Sequence, residues 1–233
     1  MKNYLSAITV AAYALCLAAC QSDPRSSSDP GPLAPEYEAV DMGMDVLWAT
    51  MNIGATKASE AGDYFAWGET AAKTNYDWTA EGDYAWGVYD MNAAPDRGMT
   101  KYNSTDGKTV LDAEDDVATL RWGKDWRMPT LAEAEALCNE SNYSWEWTTL
   151  DGVNGFNVTS KATGNTIFIP AAGSKYKGDT DGFGTYCFYW TSTPRQRPSG
   201  YGPAYQLNAD EYGAYTADDA RCYGQTIRAV RIK

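Results

Sequence analysis

Hydrophobic and polar positions along the chain predict many short strands separated by long loops. Turn-forming residue pairs between the three middle strand segments favour an antiparallel meander. These pairs are Asp151-Gly152 together with Asn154-Gly155, and Gly164-Asn165. The strand-like segments cover residues 46–53, 64–67, 145–149, 156–160, 166–169, 188–192 and 225–232. Residues 68–110 show little periodicity, so we expect a long irregular excursion there.

Two short helices are predicted after the irregular excursion. Asp112 is placed to cap a helix through Leu120, with acidic residues in the first turn, where the helix dipole favours them. Thr130 and Glu133 form a capping box for the second helix. The inward stripe of this second helix is Leu131, Ala134, Leu137 and Cys138. Two short helices with antiparallel strands and long loops predict an α+β fold.

The first residues have the pattern of a lipoprotein signal peptide. Lys2 precedes an apolar run over residues 5–17, which has the length of a secretory segment rather than of a membrane span. The run ends in Leu17-Ala18-Ala19-Cys20, small residues followed by a thiol that can take a lipid. We therefore predict a signal peptide over 1–19 and lipid attachment at Cys20. The alternative is an ordinary signal peptide with a chance cysteine.

A tether and one domain are predicted after the lipid site. Residues 20–36 are rich in Ser, Asp, Pro and Gly, with little to bury, and predict a disordered spacer. The acidic stretch that begins at Asp23 resembles the surface-export signal of Bacteroidetes lipoproteins; a plain spacer facing the periplasm is the alternative. Residues 37–233 are long enough for a single domain with its own core. The expected location is the cell envelope, at the outer membrane and exposed on the surface.

Composition excludes several classes of function. The chain carries 19 Lys and Arg against 31 Asp and Glu, a net charge of −12, which disfavours nucleic acid and anionic membrane surfaces as partners. The membrane is therefore expected to hold the chain through the lipid anchor only. The chain has no histidine, which rules out Ser-His-Asp and Cys-His hydrolases and His-ligated metal sites.

Aromatic residues point to a binding surface near the carboxyl end. The chain has nine Trp and 17 Tyr against five Phe, and Tyr and Trp combine an apolar face with a polar group. Between Arg195 and Tyr223, Tyr, Asn, Asp and Arg alternate with small residues, the chemistry of an adaptable recognition loop. The candidate ligand-binding residues are Arg195, Arg197, Tyr201, Tyr205, Gln206, Asn208, Asp210, Tyr212, Tyr215, Asp218, Asp219 and Arg221. The alternative is a hydrated loop pair whose tyrosines pack locally.

An ordered series of motifs resembles one family. Trp126-Arg127-Met128-Pro129-Thr130 before an Ala/Glu helix resembles a signature of C-type-lectin-like domains, and the whole series resembles the Fibrobacter/Bacteroidetes major paralogous domain. The other matching segments are residues 47–55, 62–69, 152–161, 168–173, 189–192 and 223–228. This resemblance implies two helices on twisted antiparallel sheets, paired chain ends, and loops that form a ligand platform. In related lectin-like proteins the stretch before the last strand is the variable binding face.

The cysteines and the candidate calcium ligands do not match the active sites of the related proteins. The related formylglycine-generating enzymes use two copper-binding cysteines, but Cys138, Cys187 and Cys222 lack the sequence context of that family. Cys187 and Cys222 each precede a predicted strand, so we expect them to form a disulfide, although three cysteines do not fix the pairing. The calcium motifs of C-type lectins are absent. Residues 179–182 and 114–116 offer oxygen ligands without a complete calcium loop.

The combined expectation is a non-catalytic lectin-like domain that needs no cofactor or metal. Its carboxyl-terminal loop face is expected to recognise a protein or a glycan. One alternative is a structural or accessory subunit of an envelope assembly. Another is a relative of the formylglycine-type oxidases.

Overall fold

The structure is a computed structural model that describes residues 37–77, 84–87, 98–196 and 202–233. It contains mostly antiparallel sheets and two short helices, which confirms the predicted general α+β class. Neither helix in this part of the chain is long and apolar enough to cross a membrane. The helices are α1 (Val117–Trp122) and α2 (Leu131–Leu137). The strands are β1 (Ala39–Asp41), β2 (Val46–Ala49), β3 (Trp126–Arg127), β4 (Tyr143–Leu150), β5 (Val153–Ser160), β6 (Thr166–Pro170), β7 (Ser174–Tyr176), β8 (Asp179–Asp181), β9 (Cys187–Pro194), β10 (Pro203–Asp210), β11 (Gly213–Ala220) and β12 (Val230–Ile232).

The first sheet joins the two ends of the described domain. Its strand order is β1-β2-β12-β3, so the last strand lies between two strands that come much earlier in the chain. Val230 pairs with Trp48 of β2 on one side and with Arg127 of β3 on the other. The predicted strands 46–53 and 225–232 are longer than the observed β2 and β12. The residues of these predicted strands that lie outside β2 and β12 make isolated backbone hydrogen bonds instead. For example, the Ile53 N–H donates to the Ile227 carbonyl (3.0 Å).

The second sheet is the predicted meander. Strands β4, β5 and β6 pair in chain order, and Asp151 and Gly152 turn the chain with positive φ values of 51° and 81°. The expected turn at Asn154-Gly155 is wrong, because both residues lie inside β5 and pair with Thr149 and Thr148. A small hairpin of β7 and β8 follows this sheet.

The predicted start agrees with the structure for α2 but not for α1. Helix α2 begins after Thr130 with the expected capping box, and Ala134 and Leu137 are buried as predicted, with Leu131 and Cys138 half-buried. Helix α1 was placed too early. Its cap is Asp116, whose carboxylate accepts from the Ala118 and Thr119 backbone amides.

The core sits where all three large sheets and α2 meet. The first core cluster contains Trp48 of β2, Leu137 of α2, Val158 of β5, Tyr189 of β9 and Leu207 of β10. A second cluster lies around the fully buried rings of Trp67 and Trp190. The third sheet has the strand order β11-β10-β9. Since residues from both faces of β9 and β10 enter these clusters, this β9–β11 sheet is firmly held within the domain.

The predicted strand at 64–67 is an isolated bridge instead, in which Phe65 pairs with Gln225. This bridge connects the second cluster with a third, which includes Tyr64, Tyr76 and Tyr84. Buried tyrosine rings from the irregular excursion therefore pack against the segment that follows β11.

Candidate recognition face on the carboxyl-terminal hairpin

The stretch expected to be a loop face is a regular hairpin. Strands β10 and β11 pair without interruption from Pro203–Ala220 to Asp210–Gly213. At the turn, the Asp210 carboxylate accepts from the Tyr212 backbone amide (2.9 Å). The sequence did not reveal β10 because its residues are buried on both faces, so polar and apolar positions do not alternate as in a strand with one wet side.

One side of the hairpin, which we call the core face, packs inward. Leu207 and Ala209 enter the first core cluster. Further along this face, Tyr205 pairs across the ladder with Asp218. Arg195 forms an ion pair with Asp218 and lies 5.6 Å from the centre of the Tyr205 ring. The candidate residues Arg195, Tyr205 and Asp218 are therefore brought together, but as partners of one another.

The opposite side, which we call the amide face, is defined by Gln206, Asn208, Tyr215 and Asp219. Asn208 is the direct cross-strand neighbour of both Tyr215 and Phe188. Its side chain is 6% exposed, whereas Tyr215 is 49% exposed. The amide of Gln225 donates to the Gln206 side-chain carbonyl next to Asn208 on this face. The amide face therefore holds a row of side-chain amides beneath an accessible tyrosine ring.

Two oxygen atoms in this row lack hydrogen-bond partners. Among the described residues, the buried Asn208 Oδ1 and Gln225 Oε1 accept no hydrogen bond. A buried carbonyl left unpaired costs about 1–3 kcal/mol, so such atoms are rare in native proteins. Asn208 Oδ1 marks the strongest candidate binding position in the described hairpin, because a donor from a ligand that displaces the adjoining side chains would satisfy it.

Asp219 adds a titratable group at the other end of the amide face. It pairs with Ala204 and is separated from Tyr215 by the small Ala217. Burial raises the pKa of Asp219 to about 6, although its carboxylate accepts from the Ala220 backbone amide (2.7 Å). The charge on this face therefore changes near neutral pH.

Exposed aromatic rings cluster around this end of the hairpin. Tyr212 at the turn is 88% exposed. Tyr186 stacks on Phe188 with ring centres 5.6 Å apart. A hydrogen bond with Glu211 raises the pKa of Tyr212, and nearby Tyr186 also contributes. The exposed aromatic residues in the described chain are Trp147, Phe183, Tyr186, Tyr212 and Tyr215.

Arg221 is buried in the domain, contrary to the expectation of an exposed binding residue. Its side chain is 2% exposed and donates to the carbonyls of Pro203 (3.2 Å), Lys101 (3.2 Å) and Tyr102 (2.8 Å). The guanidinium also lies 4.6 Å from the centre of the Trp67 ring. Arg221 therefore cross-links the hairpin to the irregular excursion. The candidates Arg197 and Tyr201, and the predicted lipid site Cys20, lie outside the described residues.

The expected Cys187–Cys222 disulfide is also wrong. Both residues are free thiols, one in the first core cluster and the other in the third. Cys187 pairs with Ala209, whereas Ala220, two residues before Cys222, pairs with Pro203 at the other end of β10. Ala209 and Pro203 are separated by about 20 Å of strand, at about 3.3 Å per residue. A disulfide needs Cα atoms within about 7 Å.

The described acidic cluster is already neutralised by lysine. Carboxylate oxygens of Asp112, Glu114 and Asp115 lie within 4.8 Å of one another. The Lys101 ammonium pairs with all three, at 3.4 Å from Asp112, 3.8 Å from Glu114 and in closer contact with Asp115. A cation would have to displace this ammonium. The other candidate calcium segment, 179–182, begins with the exposed strand β8 rather than a closed loop.

The chain matches no protein-family model, no curated protein and no solved structure.

We predict that Asn208→Leu leaves stability unchanged or raises it by about 1 kcal/mol, because an apolar group of similar size removes an unpaired buried oxygen. The matched control is Asn52→Leu. Asn52 is fully buried, but its amide donates to the Ala61 carbonyl (2.9 Å) and accepts from Arg228 (2.8 Å). Its replacement is expected to lower the free energy of unfolding by about 3 kcal/mol or more. Urea denaturation measures both changes, and an equal loss in the two variants would contradict the assignment.

We predict that Asp219→Asn stabilises the protein at pH 7.5 but not at pH 4. The folded-state pKa of Asp219, about 6, lies above the ordinary 3.8, so the stability present at low pH is lost as the pH rises through 6. The variant does not ionise and keeps that stability, a gain on the order of 2 kcal/mol at pH 7.5 after allowance for partial solvent exposure.

Thermal unfolding of wild type and variant at the two pH values checks this prediction. The neighbouring Asp218→Asn is the control, because it removes the ion pair with Arg195 and is expected to lower stability at pH 7.5. Equal effects of Asp219→Asn at both pH values would show that the carboxyl group does not titrate in this range.

Proposed function

We propose that this chain is a lipid-anchored envelope protein whose domain recognises a protein or glycan ligand without catalysis. The ligand contacts the amide face of the β9–β11 sheet. The observation that carries the proposal is the unpaired Asn208 Oδ1, buried between the partly exposed rings of Tyr215 and Phe188. Such an acceptor favours a ligand that offers a hydroxyl or amide donor beside an apolar surface.

Rigidity of the support favours recognition. The hairpin is paired along its full length, and the buried faces of β9 and β10 hold it in the domain. Tyr215 therefore presents a large ring from a fixed backbone, with little conformational entropy to lose on binding.

A C-type-lectin-like arrangement is part of this proposal. It is supported by the pairing of β12 with β2, which brings the two ends of the domain together. It is also supported by the place of the matching motif: Trp126 and Arg127 form β3, and Thr130 caps α2. In this arrangement the hairpin before the last strand occupies the position of the ligand platform.

The state of the thiols supports a non-catalytic role. Burial raises the pKa of Cys138 and of Cys222 to about 12 and also raises that of Cys187. A reactive cysteine needs the opposite shift, since the thiolate is the nucleophile and metal ligand. The sequence also lacks histidine, the most common general acid and base.

Anchoring at Cys20 rests on the sequence pattern of residues 1–20. A lipid there would leave the domain on a polar tether outside the cytoplasm, where a recognition face meets its ligands.

A structural role in an envelope assembly is the second candidate. It is favoured by the exposed aromatic rings at the hairpin end, because a concentration of apolar side chains in one surface region often marks a protein interface. Co-purification of a partner in fixed stoichiometry would favour this role over reversible ligand binding.

We predict that Tyr215→Ala weakens ligand binding at least about tenfold, as expected for an aromatic residue at the centre of an interface. Purified full-length protein is applied to a glycan array and used as bait for envelope extracts, and the affinity of each bound ligand is then measured. Leu120→Ala is the control, because Leu120 is 55% exposed on α1 and lies outside the amide face. Equal binding of every captured ligand by Tyr215→Ala, or no ligand for the wild type, would contradict the proposal.

A further inference from the structure

A row of aromatic side chains runs from the core to the surface along β4. Tyr143, Trp145 and Trp147 share one face of the strand because side chains alternate. Tyr143 is buried and donates to the Met42 carbonyl (2.9 Å), and Trp145 Nε1 donates to the Leu137 carbonyl (2.9 Å). Trp147 is 38% exposed. The row therefore ends in an accessible ring.

The accessible Trp147 ring is held firmly from behind. Phe156 packs edge-to-face against both tryptophans, with ring centres 5.4 Å from Trp145 and 4.9 Å from Trp147. Phe156 itself is 3% exposed. Both indole rings consequently lie on a fixed apolar base, and little freedom would be lost when a ligand covers them.

The hairpin turn forms the other wall. Tyr212 stands in the turn, tied by its backbone amide to Asp210, and Gly213 follows with a φ of 136° that favours glycine. At 88% exposure the Tyr212 ring contributes almost nothing to the core. Tyr212 instead lines a groove that Trp147 also lines.

Between the two walls lies a groove of about 380 Å³, which we call the aromatic groove. Its aromatic lining includes Trp145, Trp147 and Tyr212, and its charged lining is Glu140, Lys161 and Glu211. The volume falls within the range of small-molecule sites, roughly 300–1,000 Å³. The Lys161 ammonium is held at the rim by the Glu140 backbone carbonyl (2.5 Å).

We propose that the aromatic groove binds a neutral oligosaccharide. Aromatic faces pack against the apolar C–H faces of sugar rings, and the carboxylates at the rim accept hydrogen bonds from sugar hydroxyls. Two carboxylates against one ammonium, in a chain of net charge −12, disfavour phosphorylated, sulfated or uronic-acid ligands. This chemistry selects a ligand rich in hydroxyl groups and without charge.

The groove is separate from the amide face. Both use the hairpin, but Phe188, Asn208 and Tyr215 do not line the groove. Sugar binding here is therefore a second activity, which can be present or absent independently of recognition through the amide face.

Full-length protein in detergent is titrated with short neutral oligosaccharides of glucose, mannose, galactose and N-acetylglucosamine, and calorimetry measures the binding. Saturable binding of at least one neutral sugar is expected, and a uronic-acid oligosaccharide is expected to bind at least tenfold more weakly. Tyr212→Ala and Trp147→Ala are each expected to weaken binding at least tenfold. Tyr212→Ala is the decisive variant, because a side chain this exposed is not needed for folding.

Two control variants test whether the loss of binding is specific to the aromatic groove. Leu150 lies on the same strand as Trp147 and has the same 38% exposure, but it is on the opposite face. The Leu150→Ala variant should therefore bind the sugar normally. Tyr215→Ala should also bind normally, which separates this proposal from recognition through the amide face. The proposal would be overturned if no neutral sugar binds, or if binding is unchanged in both Tyr212→Ala and Trp147→Ala. It would also be overturned if the protein captures extended peptides at the β4 edge and no sugar.

Discussion

The guanidinium of Arg228 is the interaction on which the arrangement of the sheets depends. It is almost fully buried and donates to the Asn52 side chain (2.8 Å) and to the carbonyls of Ala49 (3.1 Å) and Phe168 (2.9 Å). Burial lowers its pKa to about 10, and within the described residues no carboxylate pairs with it. Because a buried charge is tolerated only when its donors are satisfied, these acceptors have to stay in place. The segment before β12 is thereby fixed to the end of β2 and to β6.

The same network reaches the sheet that carries the candidate site. Asn52 also donates to the Tyr189 hydroxyl (3.2 Å), which in turn donates to the Pro170 carbonyl (2.6 Å). Tyr189 belongs to β9, the strand on which β10 pairs, so the polar network and the hydrophobic core hold the hairpin together. Against this rigid background the unpaired Asn208 oxygen and the exposed rings of Tyr212 and Tyr215 stand out, because the oxygen costs stability and the rings contribute little to it. Their chemistry is better suited to a ligand than to the fold.

The sequence predicted those features of the fold that depend on residues close together in the chain. The capping box of Thr130 and the meander around Asp151-Gly152 were confirmed, since both depend on neighbouring residues. The hairpin escaped prediction because Gln206 and Asn208 are polar yet buried, and their burial comes from distant parts of the chain. The sequence placed Arg221 on the surface because its carbonyl partners, such as that of Tyr102, are distant in the chain. Of the amide face, the sequence supplied Gln206, Asn208, Tyr215 and Asp219, and of the aromatic groove it supplied Tyr212. It missed Phe188 and Trp147, for which the only local signal was aromatic enrichment.

Site-specific photo-crosslinking in intact cells shows whether the amide face contacts a ligand. A photo-reactive amino acid replaces Tyr215 in the full-length protein, and in a second strain it replaces Leu120, which is also exposed but lies on α1. If the amide face recognises a ligand, we expect a defined crosslinked product from position 215 and none from position 120. No product from either position, or the same product from both, would contradict it.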